Sequence, residues 1–321
     1  MQVSKKTILL LLISIMAIGC GDDKINDFTL IVPWSAGGGT DATARALAPL
    51  LAKELGVEIT VVNRTGEGGV TGHQAMLDGD PKSTLGICTG ELATYHWLGQ
   101  SNITYADFTL IGLYNTAAAA ITVSATSSWL VLQDLLDDID SNPSGTYSMS
   151  GASVGSPQSL AVASLFKTKG IDPLKIKMET SSGAADALNL LKNGTIDMMP
   201  NSLPEVKADL DAGNVRSLVV LAPERIDNES FADVPTALEA VGEDIVGGTY
   251  RTLCGPAGMS ESTVNKVTAA FVKVYNSTEF ENFMVSNNNV MTFATGSACK
   301  DWLAAADIQA GQSIEDLGLA P

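Results

Sequence analysis

The apolar run from Phe28 to Val32 stops at Pro33, passes through Gly37-Gly38-Gly39 and becomes helix-forming near Thr40. This pattern predicts strand, loop and helix. From Ala42 to Leu55, apolar residues at Leu47, Leu50, Leu51 and Leu55 form a helical stripe in which Pro49 should introduce a kink or irregularity, and Gly56 ends the run. Glu58 to Val62 predicts a second strand, which leads into Asn63-Arg64-Thr65-Gly66-Glu67-Gly68-Gly69 and then a helix over Val70 to Leu77. Leu85 to Cys88 predicts a third strand, followed by Thr89-Gly90-Glu91. Loops that follow strands of an open, mostly parallel sheet gather at its carboxyl edge, where ligands bind.

The alternation continues. Ala117 to Val123 reads as a strand, Leu130 to Ile139 as a helix and Asn142 to Gly145 as a turn. Thr146 to Met149, the loop Ser150 to Pro157 and the helix Gln158 to Lys167 repeat the opening theme. Ile176 to Glu179, Thr180 to Gly183 and Ala184 to Leu191 form one further unit, and Asp197 to Met199 ahead of Pro200-Asn201-Ser202 begins another. After the apolar strand Val215 to Leu221 and a polar connection, Tyr250 to Cys254 reads as a strand. Helical patterns occupy Ser260 to Tyr275, Thr278 to Asn287 and Ser297 to Ile308. This order predicts an α/β chain of two domains. The first comprises 28–123 and 248–321 and the second 124–247, with crossings near Val123-Ser124 and Gly247-Gly248.

Composition adds an address and a constraint. Lys5 and Lys6, an apolar run from Thr7 to Met16 and then Ala17-Ile18-Gly19-Cys20 resemble a lipoprotein-type signal over residues 1–20, with 21–27 as a tether. The alternative is an ordinary cleaved signal. That run is too short to span a bilayer, so the expected membrane link is lipid on Cys20. Loss of Lys5 and Lys6 leaves 17 basic side chains against 36 acidic ones, a net charge of −19 that disfavours nucleic acid and anionic lipid. An anionic ligand would then be held by local geometry against the overall field. Cys88, Cys254 and Cys299 show neither a disulfide framework nor metal-ligand spacing. They read as buried thiols, with a pair such as Cys254 and Cys299 left open.

Several motifs carry candidate chemistry. Glycine-rich turns that open helices present unpaired N–H groups and the positive end of a dipole, which suits an anion. Gly37-Gly38-Gly39-Thr40-Asp41-Ala42 fits a dinucleotide pattern, but Asn63-Arg64 stands where the supporting acid belongs, and no Gly-Lys-Ser/Thr follows any glycine loop. No cofactor and no metal are expected. Gly151-Ala152-Ser153-Val154-Gly155 fits a nucleophile elbow and motivates the alternative of a secreted serine hydrolase using Ser153. That fold needs a histidine after the serine, and the only histidines are His73 and His96. Asp41 reads equally well as a first-turn acid and as a ligand contact. Arg45, Arg64 and Arg251 suit a carboxylate, although single arginines are more often on the surface.

Taken together, Val32 to Asp41, Asn63 to Gly69, Gly155-Ser156-Pro157-Gln158, Gly183 to Leu188 and Val234-Pro235-Thr236 resemble the Bug family, the extracytoplasmic solute receptors of tripartite tricarboxylate transporters. The resemblance implies a two-domain periplasmic-binding-protein fold, type II-like, with a small organic carboxylate captured between the domains. The cargo would be a di- or tricarboxylate or an aromatic acid. It also implies delivery to a large and a small membrane subunit by a monomeric, non-enzymatic, lipid-anchored protein outside the cytoplasm. Main-chain N–H groups and ordered waters would grip the carboxylate. Carried onto this chain, the grip falls to Ser35, Ala36, Gly37, Gly38, Gly39, Thr40 and Asp41, and to Ser150, Gly151, Ser153, Gly155 and Ser156. Gly90, Ser182 and Gly183 border the cleft, and Trp34, Glu91, Asn201 and Arg251 are candidates for its distal wall. The chain departs from the family in having Ser159 where histidine is common.

Overall fold

The computed structural model describes residues 25–150 and 155–321. The expected signal segment with Cys20, most of the tether, and Gly151 and Ser153 of the second-domain loop lie outside the described residues.

Two sheets organise the chain. The first has β1 (Phe28–Val32), β2 (Ile59–Asn63), β3 (Thr84–Thr89), β4 (Phe108–Ala118), β10 (Gly248–Pro256) and β11 (Val290–Thr295), in the order β11-β4-β10-β3-β1-β2. The second has β5 (Ala120–Ser124), β6 (Ser148–Met149), β7 (Lys177–Met178), β8 (Met198–Asn201) and β9 (Val215–Val220), in the order β7-β6-β8-β5-β9. The β1–β2 and β1–β3 pairs are parallel, as are β6–β7 and β6–β8. The sheets are mixed rather than mostly parallel, because the strands carrying the chain between domains run against their neighbours. Thus β10 is antiparallel to both β3 and β4, and β5 to both β8 and β9.

The first crossing is earlier than the sequence suggests. β4 ends in the first sheet at Ala118 and β5 opens the second at Ala120, so the chain changes domain at Ala119, and Val123 and Ser124 already pair with β9. Ala117 to Val123 is continuous in hydropathy, and the break between two strands leaves no polar mark in it. The chain re-enters the first sheet where β10 opens at Gly248. Ala119 N–H donates to Gly247 O at 2.7 Å and Leu221 N–H to Ala119 O at 2.7 Å, which ties the two crossings together.

Helices cover both sheets. On the first lie α1 (Gly39–Leu55), α2 (Val70–Leu77), α8 (Glu261–Tyr275), α9 (Thr278–Ser286) and α10 (Gly296–Leu317). On the second lie α3 (Leu132–Ser141), α4 (Pro157–Thr168), α5 (Ala184–Lys192), α6 (Leu203–Asp211) and α7 (Ala237–Val241). α1 continues through Pro49 and ends at Gly56 in the left-handed conformation (φ 70°). Its buried face, Ala44, Leu47, Ala48 and Leu51, packs with Leu30, Val32 and the α8 residues Val267 and Phe271 in the first core. The second core joins Leu135, Leu136 and Ile139 of α3 to Leu165 and Phe166 of α4 and the β-strand residues Ile121 and Val219.

The cysteines depart from expectation. Cys88 of β3 and Cys254 of β10 form a disulfide across neighbouring strands, with Cα atoms 6.2 Å apart, and Cys299 is the buried free thiol. A separation of 166 residues hides a pairing that the antiparallel register makes adjacent. Cys299 cannot take that place, since it packs against Leu113 and Tyr250 in another cluster.

The interdomain cleft as candidate functional site

The loop after β1 is fixed before any ligand enters. Asp41 Oδ2 accepts the Gly37 N–H at 2.9 Å, and its carboxylate takes the Arg45 Nε at 2.9 and 3.0 Å. Asn63 Nδ2, at the end of β2, bridges Trp34 O (2.8 Å) and Asp41 Oδ1 (2.9 Å). Burial works to raise the Asp41 carboxyl, but these hydrogen bonds and the Arg45 charge outweigh it and hold it below the usual range. Asp41 is therefore a brace for the loop, and its side chain is already engaged. Ala36 and Gly37 are exposed on the outer turn, while Gly38, Gly39 and Thr40 line the cleft.

Four helix starts converge on this hollow. Gly39 and Thr40 begin α1 in the first domain, and Gln158 of α4, Ala184 of α5 and Glu205 of α6 belong to first turns in the second. Trp34, Thr89, Glu91, Pro200, Thr249 and Arg251 complete the lining. Each helix start adds unpaired N–H groups and partial positive charge, so the cleft attracts anions despite the acidic surface. The domains are in contact around it. Ser35 N–H donates to Ser182 O at 3.1 Å, and a Cβ built on Gly183 would stand 2.9 Å from Ser35 Oγ. A Cβ on Gly155 (φ +79°) would run into Leu98, and Lys167 Nζ donates to Asp316 O.

Arg251 is the centre of charge. It is 1% exposed. Its Nε donates to Thr40 Oγ1 at 3.0 Å, Nη1 donates to Asn115 Oδ1, and Nη2 pairs with Glu205 Oε1 of the second domain at 3.5 Å. Glu205 Oε2 also accepts the Ser202 N–H at 2.8 Å, closing a capping box on α6. The chain's own carboxylate thus lies against both the Arg251 guanidinium and the start of α1. On the same sheet Arg251 is paired with Thr89 across β10 and β3, and two residues further on Glu91 is buried, its Oε2 accepting from Thr89 Oγ1 at 2.6 Å, which also accepts the Trp34 Nε1–H at 3.2 Å.

The other expected positions have varied roles. Ser156 caps α4, accepting the Ser159 N–H at 3.2 Å, so the residue found where histidine is common has a structural partner. Ser150 is buried, and its N–H donates to Met198 O at 3.4 Å. Ser182 Oγ bonds Asp186, and Gly90 abuts Pro157 and Thr249. Asn201 Nδ2 donates to Ser202 O at 2.9 Å, while Oδ1 is buried without a partner. Sequence reasoning missed Thr89, Gln158, Ala184, Pro200, Glu205 and Thr249. For Glu205 the spacing Ser202-x-x-Glu205 signals a helix start, but nothing in the sequence reveals a partner 46 residues away.

Neither histidine is placed for metal binding or proton transfer. His96 Nε2 lies 3.3 Å from Asp307 Oδ1, and among the described residues no group of three His, Cys, Asp or Glu side chains is arranged to hold a metal. His73 is buried beneath β3, with Nδ1 3.1 Å from the Tyr95 hydroxyl and Nε2 accepting the Thr89 N–H at 3.4 Å. Burial pushes its pKa down to about 3. The unfolded chain takes up this proton near pH 6.5, so stability present above 6.5 is lost as pH falls toward 3, at about 1.4 kcal/mol per unit. A His73→Gln variant keeps similar hydrogen-bonding reach and cannot titrate. Its unfolding free energy should decline less than that of the wild type between pH 6 and 4, and parallel curves would refute a neutral His73.

Comparison with known proteins agrees with this geometry. A family profile described as the tripartite tricarboxylate transporter family receptor, TctC, matches residues 43–319. The chain belongs to this family. It is 29% identical over 253 residues to a UPF0065 protein of Pseudomonas sp. strain P51, spanning 76% of this chain and 72% of that one. It is 26% identical to BugT of Bordetella pertussis over 235 residues, 71% and 70% of the two chains. Among solved structures, a TctC solute-binding protein from Polaromonas is 29% identical, with 91% and 98% coverage and a TM-score of 0.62. MatC of Rhodopseudomonas palustris, solved with bound malate, shares the fold at 23% identity and a TM-score of 0.78, covering 91% and 99%. An R. palustris protein solved with adipate does so at 23% identity and a TM-score of 0.84, covering 92% and 98%. This TctC/Bug protein is a periplasmic solute receptor with a two-domain α/β fold, not an enzyme, and the hydrolase alternative on Ser153 is set aside. No helix among the described residues is long and apolar enough to cross a membrane.

Proposed function

We propose that this receptor captures a small organic carboxylate in the interdomain cleft and delivers it to the large and small membrane subunits of a tripartite transporter. The observation that carries the reading is the convergence of four helix starts, one from the first domain and three from the second, around the buried Arg251. Glu205 supports it further, since a carboxylate of the chain already rests against Arg251 and Gly39 in the manner expected of a guest. Malate and adipate in similar folds are both carboxylates. Four charge-assisted hydrogen bonds at about 1.5–3 kcal/mol each, less the entropic cost of association, suffice for micromolar binding. Selectivity then falls to Trp34, Glu91 and Arg251 in the lining, with Asn201 of β8 as a further candidate from the second domain. The protein works as a monomer held at the membrane by lipid on Cys20.

A thermal-shift panel of mono-, di- and tricarboxylates and aromatic acids tests the proposal. A ligand that binds only the folded state raises the melting temperature in proportion to the logarithm of its concentration. At least one carboxylate should do so at submillimolar concentration, and a panel with no shift at millimolar concentration defeats the reading.

A further inference from the structure

We infer that the guest carries a protonated amine as well as a carboxylate, and that Glu91 and Gln158, where the exit of β3 meets the first turn of α4, receive this amine. The inference rests on the carboxylate-receptor reading and narrows it. The cleft contains one guanidinium and two carboxylates, Arg251 against Glu91 and Glu205. When a guest carboxylate takes the place of Glu205 on Arg251 and the start of α1, that one guanidinium must serve both the guest and Glu91, and a negative charge is left over. A second carboxylate on the guest would add to that excess.

Gln158 supplies the independent observation. It is only 7% exposed, it lines the same hollow, and its Oε1 is buried without a hydrogen-bond partner among the described residues. A buried acceptor left unpaired is costly, and an incoming donor relieves that cost. The two groups lie on helical turns that touch. A Cβ on Gly90 would stand 2.6 Å from Pro157 Cγ, so the exit of β3 and the first turn of α4 meet across the cleft. A carboxylate and an amide oxygen on adjoining turns suit an ammonium group, which offers up to three donors and a positive charge.

The pH dependence has opposite signs for the two kinds of guest. Burial pushes the Glu91 carboxyl up and Glu205 adds to this, while the Thr89 hydroxyl, its own N–H and Arg251 oppose it. Nearby Tyr95 and Tyr250 are also pushed up by burial and His73 is held near 3, so none of these three changes charge between pH 6 and 8. An ammonium guest needs Glu91 ionised, so binding expels its proton and tightens as pH rises. A second carboxylate on the guest would need Glu91 protonated, so binding would take up a proton and weaken as pH rises.

Titration calorimetry of the purified receptor with glutarate, 4-aminobutyrate and 4-hydroxybutyrate, and with the same trio one carbon shorter and one longer, decides between them. The amino acid of some trio should bind at least tenfold more tightly than its dicarboxylate and hydroxy counterparts. It should gain affinity as pH rises through the Glu91 titration and release protons there, seen in buffers of different ionisation enthalpy. Glu91→Gln should remove at least tenfold of that preference and flatten the pH profile. Preference for the dicarboxylate, parity with the hydroxy acid, or affinity that falls as pH rises overturns the amine subsite while leaving the carboxylate reading intact. Binding by none of the compounds overturns the amine subsite, and the carboxylate reading falls with it only if the wider panel of tricarboxylates and aromatic acids also gives no thermal shift. Should Glu91→Gln fail to fold, the sign of the wild-type pH dependence still decides.

Discussion

Replacing Arg251 by methionine is expected to abolish carboxylate binding and to lower the unfolding free energy by about 3–5 kcal/mol, the range for removing one partner of a buried ion pair. The side chain is held by Thr40, Asn115 and Glu205, three partners from different elements, so its loss frees several buried polar groups together. Glu205 and Glu91 would then share the cleft with no guanidinium to balance them, and water would have to enter or a proton bind. Adding Glu205→Gln to Arg251→Met should therefore restore part of the stability, making the two changes markedly non-additive. Arg251→Lys keeps the charge without the planar fork that reaches Thr40, Asn115 and Glu205 together, and should recover stability more fully than affinity. Denaturant unfolding and calorimetry on the four proteins check these expectations. A methionine variant within about 1 kcal/mol of the wild type would show that the guanidinium is not the centre of the cleft.

Local signals in the sequence were reliable where structure is local. The Phe28 to Thr40 transition, the helix Val70–Leu77 and the helix starts at Pro157 and Ala184 follow from glycine, proline and apolar spacing, and they place the loops that border the cleft. Features depending on neighbours in space were not legible. β11 has an exposed start at Val290 and an exposed Phe293, so it lacks the alternation of a half-buried strand and is recognisable only by its pairing with β4. The greater part of β4, Phe108 to Thr116, gives no strand signal in the sequence because its centre is buried on both faces and its hydropathy shows little period. The same blindness to pairing moved the first crossing from Ala119 to Val123 and hid the Cys88–Cys254 bond.

In the site the division is similar. Backbone donors were readable because glycine loops ahead of helices announce them, whereas the cross-domain partnership of Arg251 and Glu205 was not. Arg251 lies in the middle of an apolar strand, where a buried arginine is unusual and is compensated by partners from Thr40, Asn115 and Glu205. Asp41 is a different case, since an acid beside a glycine loop reads equally well as a first-turn acid and as a ligand contact, and its side-chain oxygens brace that loop.

Gly39→Ala should separate the anion site from the fold. Gly39 opens α1 with no positive φ, so alanine suits the backbone, and as a helix former it should leave the isolated first domain slightly favoured if anything. The new methyl carbon, however, would stand 2.7 Å from Arg251 Nη2 and 2.9 Å from Glu205 Oε1. Terminal atoms often give way cheaply, but this guanidinium is fixed by Thr40 and Asn115, and Glu205 is tied to the Ser202 N–H. The easier relief is to part the domains at their paired crossings near Ala119 and Gly247. Carboxylate affinity should fall at least 100-fold, about 2.7 kcal/mol, while thermal stability without ligand changes by only a few degrees. Small-angle scattering should report a larger radius of gyration that added carboxylate no longer reduces. Because the obstruction lies partly with Glu205, pairing Gly39→Ala with Glu205→Ala should return part of the closure, whereas equal losses in the single and double variants would place the clash on Arg251 alone. Wild-type affinity in Gly39→Ala would mean that the guest carboxylate does not approach the start of α1, and the proposed grip would have to move to the second-domain helices.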